Sequence, residues 1–549
     1  MSEANSARSQ RFDVIIIGAG LSGMYAVYRL RKLGLSVRAF DEAGDVGGTW
    51  WWNRYPGARV DSPGAPFYGY TFSTELAQEW NWEETQPDQP AILAYLRHVA
   101  GRFDLRKDIQ LETRIKSAHW DANVQLWKLV TSAEQVIEAP FLISAVGTLS
   151  ASFLPDIPGV KDFAGEVVHT GHWPEAGLSF EGKRVGVIGT GSSGVQVIPF
   201  IARQAKEVFV FQRTPQYVIP GRNRALDPDF AATAKERWSH YREQLNATGR
   251  PFPTPRRLAV ATDETERQAI YEEAWRRGGL GLASTFSDHM ISLEANSYVG
   301  EFVRSKIAET VSDPAVAQKL MPTFLFGGKR LILGEGYYET FNRPNVRLID
   351  LREEPIELID ATSIRTNRET IPLDVLVFAT GYDAITGAIL RLDPVGPGGP
   401  LRTKWQDGVK TYLGMAIHGF PNMFMIHGPQ SPSVKFHMGL GAEKQVNWIA
   451  DLITWMQRRN YVEAQPTEAV ESAWGEKVTT LASTTLFPLT DSWFSGANIP
   501  GKHREFMIHL DGPAYHQDLM ALADTKYQGF TFKTSDRLPV AALEHTDNV

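Results

Sequence analysis

Two glycine-rich hexapeptides carry the spacing that most directly indicates chemistry in this sequence. Residues 18–23 read GAGLSG and residues 189–194 read GTGSSG, so both follow the pattern G-x-G-x-x-G. In each case a β-branched apolar run precedes the glycines and a helix-forming stretch follows them. Glycines so placed let the backbone approach a pyrophosphate, and the N-terminus of the next helix faces its charge. The sequence therefore predicts two dinucleotide sites, 171 residues apart.

The residue at the end of the following strand distinguishes the two sites. Asp41 lies 18 positions after Gly23, where a carboxylate accepts hydrogen bonds from ribose hydroxyls and repels a 2′-phosphate. Arg213 lies 19 positions after Gly194, where a guanidinium suits a 2′-phosphate. The first site is therefore predicted to bind FAD or NAD, and the second NADP. Lys329 is a further candidate for the phosphate, although spacing alone does not place it there.

The residue types also limit where electrons from such a pair of nucleotides can go. The chain contains no cysteine, which excludes disulfides, thiolate metal sites and a dithiol relay. A quinone-type acceptor, another protein or dioxygen then remains as the final acceptor. The thirteen histidines are scattered without metal-ligand spacing, so no metal site is predicted.

Composition favours a globular enzyme over a nucleic-acid or membrane protein. The chain has 549 residues, of which 43% are apolar and 22% charged, enough for two or three packed domains. Its formal net charge of −7 offers no basic field for nucleic acid or an anionic membrane. No apolar run approaches the roughly 18–20 residues of a membrane span, and residues 1–11 lack the apolar core of a signal peptide. We expect a cytoplasmic protein, as a monomer or weak homo-oligomer.

The elements that must position these residues are two βαβ units. Residues 13–17 and 37–41 are predicted strands around a helix at 22–33, and the same order recurs at 184–188, 193–205 and 207–211. Apolar runs at 141–147 and 375–381 indicate strands that return to these sheets. The predicted fold is α/β, with two Rossmann-like dinucleotide-binding domains and a helical insertion.

The spacing of these elements gives a division of the chain. Residues 1–147 are predicted as the first part of the FAD-binding domain, and 148–224 with 321–380 as the NADP-binding domain. Residues 225–320 are predicted as the helical insertion, because Asp263 with Glu266 forms a helix N-cap pair and valine or isoleucine recurs every four residues from Val299 to Val311. Residues 381–549 then complete the FAD-binding domain and supply a C-terminal lid and tail.

Several motifs resemble the Baeyer–Villiger monooxygenases. The fingerprint of that family, F-x-G-x-x-x-H-x-x-x-W-P, is matched by Phe163, Gly165, His169, Trp173 and Pro174. A second signature is matched by the pair Gly47-Gly48, then Trp50, the triplet Tyr55-Pro56-Gly57 and Asp61. Residues 329–331, 379–383, 411–414 and 496–502 also look like family segments, so the resemblance spans roughly residues 12–530. It is strongest to the single-component, FAD-containing branch that acts on phenylketones, steroids and cycloalkanones.

The resemblance implies a flavoprotein monooxygenase that uses NADPH and O2 to convert ketones into esters or lactones, through a C4a-peroxyflavin and a Criegee intermediate. Such a site needs a fixed cation near the developing negative charge, and it must exclude water. Arg330, within the family's Lys-Arg-Leu match, is the predicted cation, and Asp61 is its predicted partner. The partners expected for the whole protein are a small-molecule ketone and O2.

The motifs and the resemblance together assign residues to each ligand. The FAD set comprises Gly18, Gly20, Ser22, Gly23, Asp41, Gly48, Thr49, Trp50, Asp61, Tyr68 and Met438. The NADP set comprises Arg59, Gly189, Thr190, Gly191, Ser192, Ser193, Gly194, Gln196, Arg213, Thr214, Lys329, Arg330 and Trp493, the last as a lid residue. The predicted substrate pocket includes Ser433, Val434 and Lys435.

Some alternatives stay open at the level of sequence. An N- or S-oxidising flavin monooxygenase, or an NADPH–flavin electron-transfer protein, would use the same cofactors. Lys435 and His437 stand in a loop that is mostly small or apolar in the family, and they face either the pocket or the solvent. His169 and Trp173 either take part in chemistry or hold a connector between domains. The particular ketone and the selectivity of the reaction are not determined.

Overall fold

The computed structural model describes residues 9–62, 64–249 and 255–534, except for the side chain of Lys435. In chain order the strands are β1 Gln10–Arg11, β2 Val14–Ile17, β3 Val37–Phe40, β4 Ile109–Gln110, β5 Ile115–Asp121, β6 Leu126–Thr131, β7 Val136–Ala139, β8 Phe141–Ser144, β9 Glu166–His169, β10 Arg184–Ile188, β11 Glu207–Gln212, β12 Val218–Pro220, β13 Ile332–Gly334, β14 Val346–Asp350, β15 Ile356–Ile359, β16 Ser363–Thr366, β17 Thr370–Pro372, β18 Val375–Phe378, β19 Val395–Gly396, β20 Gly399–Pro400, β21 Met423–Met425, β22 Tyr461–Pro466 and β23 Phe530–Thr534. The helices are α1 Leu21–Arg31, α2 Thr49–Trp52, α3 Thr74–Glu79, α4 Gln89–Arg102, α5 Ser192–Gln204, α6 Pro228–Glu236, α7 Trp238–Thr248, α8 Glu264–Arg277, α9 Leu293–Thr310, α10 Pro314–Leu320, α11 Tyr337–Thr340, α12 Gly387–Leu392, α13 Leu401–Lys404, α14 Met438–Gln457, α15 Glu468–Ser483 and α16 Gly512–Asp524.

The first glycine loop belongs to a parallel sheet with the strand order β21-β8-β2-β3-β4. Its strands β2 and β8 are apolar at every position except Ser144, because elements cover both faces of the sheet. Helix α1 packs against α14 on one of these faces. The predicted strands around this loop are confirmed. Since β21 pairs with β8, a segment from the last third of the chain completes a sheet that begins near its N-terminus.

The second glycine loop belongs to another parallel sheet, with the order β14-β11-β10-β18-β9. The predicted strands at both ends of the loop and at 375–381 are confirmed. The placement of His169 in a connector was wrong, because β9 is the edge strand of this sheet and His169 pairs with Phe378. Val167 and Val168 give this short segment the β-branched residues that suit a strand.

Residues 225–320 contain helices α6 to α10. The predicted N-cap is confirmed, since the Asp263 carboxylate accepts a 3.0 Å hydrogen bond from the backbone N–H of Glu266 at the start of α8. The fourfold apolar spacing is also confirmed, because Val299, Val303 and Ile307 form the buried stripe of α9. The exact domain boundaries stay predictions. Within the described ranges, no helix is both long and apolar enough to cross a membrane.

An antiparallel meander, which the sequence reading did not predict, lies between the two glycine loops. Strands β5, β6 and β7 pair in succession and join β1, β19 and β20 in one six-stranded sheet. Trp120 and Trp127 face each other across β5 and β6 and are buried. The meander therefore packs into an apolar core that it shares with the first parallel sheet.

Candidate functional site

The first glycine loop has a backbone that excludes side chains at two positions. Gly18 has a φ of +107°, and a Cβ atom there would lie 2.4 Å from the carbonyl oxygen of Ala145. A Cβ atom at Gly23 would lie 1.8 Å from the carbonyl oxygen of Gly18. Both glycines are therefore required for the strand, the turn and α1 to pack together.

Asp41 holds this loop from the end of β3. Its carboxylate accepts hydrogen bonds from the backbone N–H groups of Ala19, at 2.6 Å, and Ala43, at 2.9 Å. Burial raises the pKa of Asp41, while the two backbone N–H groups act in the opposite direction. The predicted ribose contact stays a prediction, and the structure adds that Asp41 fixes the shape of the glycine loop itself.

The second glycine loop repeats the same geometry. Gly189 also has a φ of +107°, and its Cβ would lie 2.5 Å from the carbonyl oxygen of Ala379. A Cβ at Gly194 would lie 2.2 Å from the carbonyl oxygen of Gly189. At Gly191, by contrast, nothing lies within 4 Å of the Cβ position. The loop is thus packed on its inner side and open where a pyrophosphate would approach the start of α5.

One cavity of about 890 Å³ joins the first glycine loop to Arg330. The members of the predicted FAD set that line it are Gly18, Gly20, Ser22, Asp41, Gly48, Thr49, Trp50, Asp61, Tyr68 and Met438. Lys329, Arg330 and Val434, from the predicted NADP and substrate sets, line the same cavity. The cavity thus combines bare glycine backbone, aromatic side chains and a guanidinium, and these features fit an extended flavin dinucleotide.

Trp50 and Tyr68 form a fixed aromatic wall in this cavity. The indole N–H of Trp50 donates a 2.7 Å hydrogen bond to the hydroxyl of Tyr68, and the two rings are nearly perpendicular. Trp82 donates a 3.1 Å hydrogen bond to the backbone carbonyl of Tyr68. Burial raises the pKa of Tyr68, so its hydroxyl keeps its proton. These contacts orient flat surfaces that suit a flavin ring.

The predicted contact between Asp61 and Arg330 is present in the structure. The Asp61 carboxylate accepts hydrogen bonds from Nε of Arg330, at 3.0 Å, and from its Nη2. Nη1 of Arg330 donates to the backbone carbonyl of Val434 at 2.9 Å. Three of the five N–H donors of a guanidinium are thereby engaged, and among the described residues nothing accepts the other two. Arg330 therefore offers two oriented donors to a ligand in the cavity.

The loop before α14 borders the cavity through Val434, Phe436 and His437, and α14 borders it through its first residue, Met438. His437 accepts a 3.1 Å hydrogen bond from the backbone N–H of Leu440, and its Nε2 donates to the carbonyl of Phe67. Burial lowers the pKa of His437, so the ring is neutral in this arrangement. His437 therefore faces the cavity and caps α14, whereas the side chain of Lys435 lies outside the described residues. Ser433 is buried and is not part of the cavity lining.

The two cations predicted for a 2′-phosphate are neighbours. Burial and then the positive charge of Arg213 lower the pKa of Lys329, whose ammonium also donates to the backbone carbonyl of Asp491. The Arg213 side chain is exposed at the end of β11. Thr190 donates a 3.2 Å hydrogen bond to the carbonyl of Thr214, which connects the second glycine loop to this strand end. The arrangement suits a dianionic phosphate next to that loop.

Arg59 and Gln196 connect the two nucleotide-binding units. Gln196, on α5, donates a 3.1 Å hydrogen bond to the backbone carbonyl of Arg59 and accepts one of 2.7 Å from the hydroxyl of Tyr55. The Arg59 guanidinium pairs with Glu84 at 2.8 Å. Neither Arg59 nor Gln196 lines the described cavity, so their predicted NADP contacts stay predictions.

The fingerprint residues pack beside the cavity. His169 accepts a 2.9 Å hydrogen bond from the backbone N–H of Gly171, and burial lowers the pKa of its imidazole to about 4. Trp173 is buried against Tyr55 and Phe180. Among the described residues none of the five fingerprint positions lines the cavity, whereas the intervening Gly171 and His172 do. This placement favours a packing role for the predicted residues.

Trp493 also lies away from the described cavity lining, with its ring 4.5 Å from that of Phe494 between centroids. Conversely, the sequence interpretation missed several lining residues. Tyr382 lines the cavity and donates a 2.6 Å hydrogen bond to the side-chain oxygen of Asn53. Tyr382 belongs to the matched 379–383 segment, which could have indicated it. Phe436 also lines the cavity, and its place in the loop that borders the pocket in relatives could have indicated it.

Comparisons with known proteins agree with this geometry. A family model described as flavin-binding monooxygenase-like matches residues 11–230. A Baeyer-Villiger monooxygenase of Pseudooceanicola batsensis is 40% identical over 535 residues, which is 96% of each chain. The phenazine N-monooxygenase PhzNO1 of Lysobacter antibioticus is 41% identical over 540 residues, covering 96% of this chain and 98% of its own. The solved structure of an oxidised steroid monooxygenase bound to NADP is 43% identical, with a TM-score of 0.91, and covers 96% of this chain and all of its own.

Proposed function

The chain belongs to the Baeyer–Villiger monooxygenases, and we propose that it uses NADPH and dioxygen to convert a ketone into an ester or a lactone. It is a flavin-dependent enzyme of α/β fold whose cofactors are FAD and NADP(H). The observation that carries the proposal is the Arg330 guanidinium, which Asp61 and Val434 hold in the cavity and which has two N–H donors that no described residue engages.

Arg330 provides the electrostatic part of the reaction. When bound, reduced FAD supplies the electrons that activate dioxygen, and NADPH supplies the hydride that reduces the flavin. The carbonyl oxygen of a ketone gains negative charge when it is attacked, and two preoriented N–H groups stabilise that charge without reorganising. Asp61 acts through Arg330, since its carboxylate fixes the plane of the guanidinium.

The walls around Arg330 support a reaction that must exclude water. Leu331, Phe326, Val434 and Phe436 line the same cavity as the guanidinium and give it apolar walls. An apolar surround strengthens each hydrogen bond to the reacting oxygen and limits the loss of activated oxygen as hydrogen peroxide. Arg213 and Lys329 hold the phosphate end of NADP in this proposal, outside the reacting part of the cavity.

The decisive experiment separates oxygen transfer from oxygen reduction. The FAD-loaded enzyme is reduced with NADPH without oxygen, and air is then admitted with cyclohexanone, phenylacetone or progesterone. We expect an ester or lactone by mass spectrometry, with little hydrogen peroxide. Stoichiometric hydrogen peroxide that no ketone diminishes would contradict the proposal, and would instead favour an electron-transfer protein. The Arg330→Ala variant should retain FAD but lose about 10²–10³-fold in ester formation.

Heteroatom oxygenation is the second candidate, and one observation favours it. The relative from Lysobacter antibioticus, named as a phenazine N-monooxygenase, is as similar to this chain as the Baeyer-Villiger relative is. The same assay with phenazine, a tertiary amine and a thioether distinguishes the two. N-oxide or sulfoxide formation with no ester from any ketone would replace the first proposal by the second.

The partners, the cellular location and the oligomeric state of the enzyme are also proposals. We infer a small-molecule ketone and dioxygen as its partners, a cytoplasmic location and a monomer or weak homo-oligomer. The net charge of −7 supports the absence of a nucleic-acid partner. Light scattering coupled to size-exclusion chromatography would determine the oligomeric state.

A further inference from the structure

A second and smaller cavity, of about 50 Å³, lies where helices α6 and α7 of the helical insertion meet the segment from Ala65 to Tyr95. On the insertion side its lining residues are Ala231, Ala234, Lys235 and Trp238. Tyr68 and Gly69 line both this small cavity and the main one, so the two spaces share a wall. A ligand in the small cavity would therefore be a neighbour of the proposed flavin site without entering it.

Two indole N–H groups at the small cavity have no acceptor. The side chains of Trp80 and Trp238 both line the cavity, and Trp238 is only 7% exposed. The Nε1 atoms of both residues are buried, and no described residue accepts a hydrogen bond from either of them. Buried N–H groups in native proteins are almost always paired, because an unpaired one keeps its full desolvation cost. The two indoles therefore indicate a missing acceptor.

Lys235 brings a positive charge and a further donor to the same place. Its ammonium donates hydrogen bonds to the backbone carbonyl of Gln78, at 2.6 Å, and to the side-chain oxygen of Asn81, at 2.7 Å. Neither partner is charged, and one of the three N–H groups of the ammonium is left over. The Gln78 amide donates a 2.9 Å hydrogen bond back to the carbonyl of Lys235, which joins α3 to α6. The charge is thus held at the cavity without being neutralised by these partners.

The rest of the lining offers donors and not acceptors. Of the described residues that line the small cavity, none is acidic, and Lys235 alone is basic. Burial raises the pKa of Tyr68, Tyr70 and Tyr95, so their hydroxyls keep their protons. A water molecule needs about 10–15 Å³ of such space, so the cavity admits only a very small ligand. A positive charge with several free donors favours an anion over a cation.

We propose that the small cavity is a binding site for one small monovalent anion, a halide or a short carboxylate such as formate, held by Nζ of Lys235 and the indole N–H groups of Trp80 and Trp238. The bound anion neutralises Lys235 and supplies the missing acceptor. It also joins α6 and α7 to the wall that carries Tyr68, and so stabilises the contact between the insertion and the flavin-binding unit. The inference goes beyond ketone oxygenation and does not depend on it.

The first test measures thermal unfolding of the FAD-loaded enzyme without NADPH. Sodium gluconate, whose anion is too large for the small cavity, is replaced stepwise by sodium chloride, bromide or formate at constant ionic strength. We expect the unfolding temperature to rise by about 1–2 °C and then to saturate, because the anion binds the folded state. Crystals soaked in sodium bromide should show an anomalous-scattering peak beside Nζ of Lys235.

Three variants examine the proposed ligands. Lys235→Met removes the charge, Trp238→Phe removes one N–H group while keeping an aromatic ring, and Ala234→Leu fills the cavity. Each should abolish the saturable rise in unfolding temperature and the bromide peak. Trp275→Phe, on α8 of the same insertion, and Ala232→Leu, at an exposed position on α6, are the matched controls, because neither residue lines the small cavity. Both controls should keep the rise.

General salt effects and binding at the predicted 2′-phosphate site give different results. A rise that persists in both Lys235→Met and Trp238→Phe, or that gluconate produces equally, would overturn the inference. Loss of the rise in Arg213→Ala would also overturn it, since the anion would then bind at the NADP site. Water alone in the cavity of bromide-soaked crystals, with no saturable rise, would show that water is the missing acceptor. None of these measurements involves ester formation, so each outcome leaves the proposed function standing.

Discussion

At the scale of single residues, Arg330 is held in the cavity by partners from two distant parts of the chain. Its Nε donates to the Asp61 carboxylate, 269 positions away in sequence, and its Nη1 donates to the carbonyl of Val434. Short matched motifs predicted the charged pair. The Val434 carbonyl has no signature in the sequence, because every residue carries a backbone carbonyl.

Lys329 should give the choice between NADPH and NADH a pH dependence. Burial and the charge of Arg213 lower the pKa of Lys329, so its ammonium loses its proton at a lower pH than an exposed lysine. A 2′-phosphate attracts the protonated form. The KM for NADPH should therefore rise as the pH rises through this lowered pKa, while the KM for NADH, which has no such phosphate, stays nearly constant. Steady-state kinetics between pH 7 and 10 would measure both.

The Arg213→Ala variant tests the origin of that pH dependence. It removes one contact to the phosphate, so the KM for NADPH should increase by about 10–100-fold, the value of one charged hydrogen bond. It also removes the like charge beside Lys329, so the rise in KM should move to higher pH. Arg203→Ala, at an exposed position on α5, is the control. Equal changes for NADPH and NADH, or an unshifted pH profile, would refute these roles.

At the scale of elements, Gly191 provides a test of the second glycine loop that leaves the fold unaltered. A methyl group at Gly191 meets no atom of the chain within 4 Å, so Gly191→Ala should unfold at the same temperature as the unaltered enzyme. The methyl group would instead occupy space beside the N-terminus of α5 where a pyrophosphate binds. We expect the KM for NADPH to rise about tenfold or more, with FAD content unchanged.

The comparison for Gly191→Ala is Gly189→Ala. A Cβ atom at Gly189 would lie 2.5 Å from the carbonyl oxygen of Ala379, in a backbone conformation that L-residues rarely adopt. Gly189→Ala should therefore lower both the unfolding temperature and the binding of NADPH. Similar unfolding temperatures for the two variants, measured by calorimetry, would show that the loop is less tightly packed than its geometry indicates.

Helix α14 contains a buried acid that should make the stability of the protein depend on pH. Glu443 accepts hydrogen bonds from the backbone N–H and the hydroxyl of Thr71, which tie α14 to the segment after Tyr68. Burial raises the pKa of Glu443 from 4.5 to about 7, against the effect of these hydrogen bonds. The folded protein thus favours the protonated acid, and the ionised form carries a desolvation cost.

Because folding raises the pKa of Glu443, the folded state is most favoured when this side chain is protonated. The stabilisation linked to Glu443 is complete below pH 4.5 and is lost as the pH rises through 7, a change on the order of 3 kcal/mol. Glu443→Gln, which stays neutral, should remove this component and be more stable than the unaltered enzyme at pH 8. Urea unfolding at pH 6 and pH 8 measures the difference. A variant that is less stable at both values, with the same pH dependence, would contradict the expectation.

Some elements of the fold were predicted from local sequence patterns, and others were not. Strands β2 and β10, their glycine loops and the helices after them were predicted because apolar runs and glycine spacing are local signals. Strand β9 was assigned to a connector, since only its pairing with β18 makes it part of a sheet.

At the scale of the whole molecule, the cavity is assembled from segments on both sides of the glycine loops. Asp61 precedes the second parallel sheet in sequence, Arg330 immediately precedes β13, and Val434 follows β21 of the first sheet. Three separate segments of the chain therefore supply the Arg330 guanidinium, the Asp61 carboxylate that pairs with it and the Val434 carbonyl that also holds it. This interleaving is why the sequence could predict a discontinuous first unit but not the shape of the pocket.

The Asp61→Asn variant tests whether this assembly controls how much of the activated oxygen reaches the ketone and how much is lost as hydrogen peroxide. Asparagine preserves the size of the side chain but removes the charge that holds Arg330. We expect FAD content to be unchanged, ester formation to fall about tenfold or more, and the hydrogen peroxide formed per NADPH to rise. Asp451→Asn is the control, since Asp451 pairs with Arg29 at the surface and is 62% exposed. Parallel losses of ester and peroxide would indicate slower flavin reduction instead.

The three-point anchoring of Arg330 has a consequence for the order in which the protein becomes active during synthesis. Asp61 and Arg330 are 269 residues apart, and Arg330 and Val434 are 104 apart. Contacts between such distant parts of a chain must close long loops and form slowly in folding. On the ribosome, the segment with Val434 emerges long after both glycine loops. Arg330 can therefore be held at all of its anchoring points only after both glycine loops have been made, and oxygen transfer becomes possible later in synthesis than either loop.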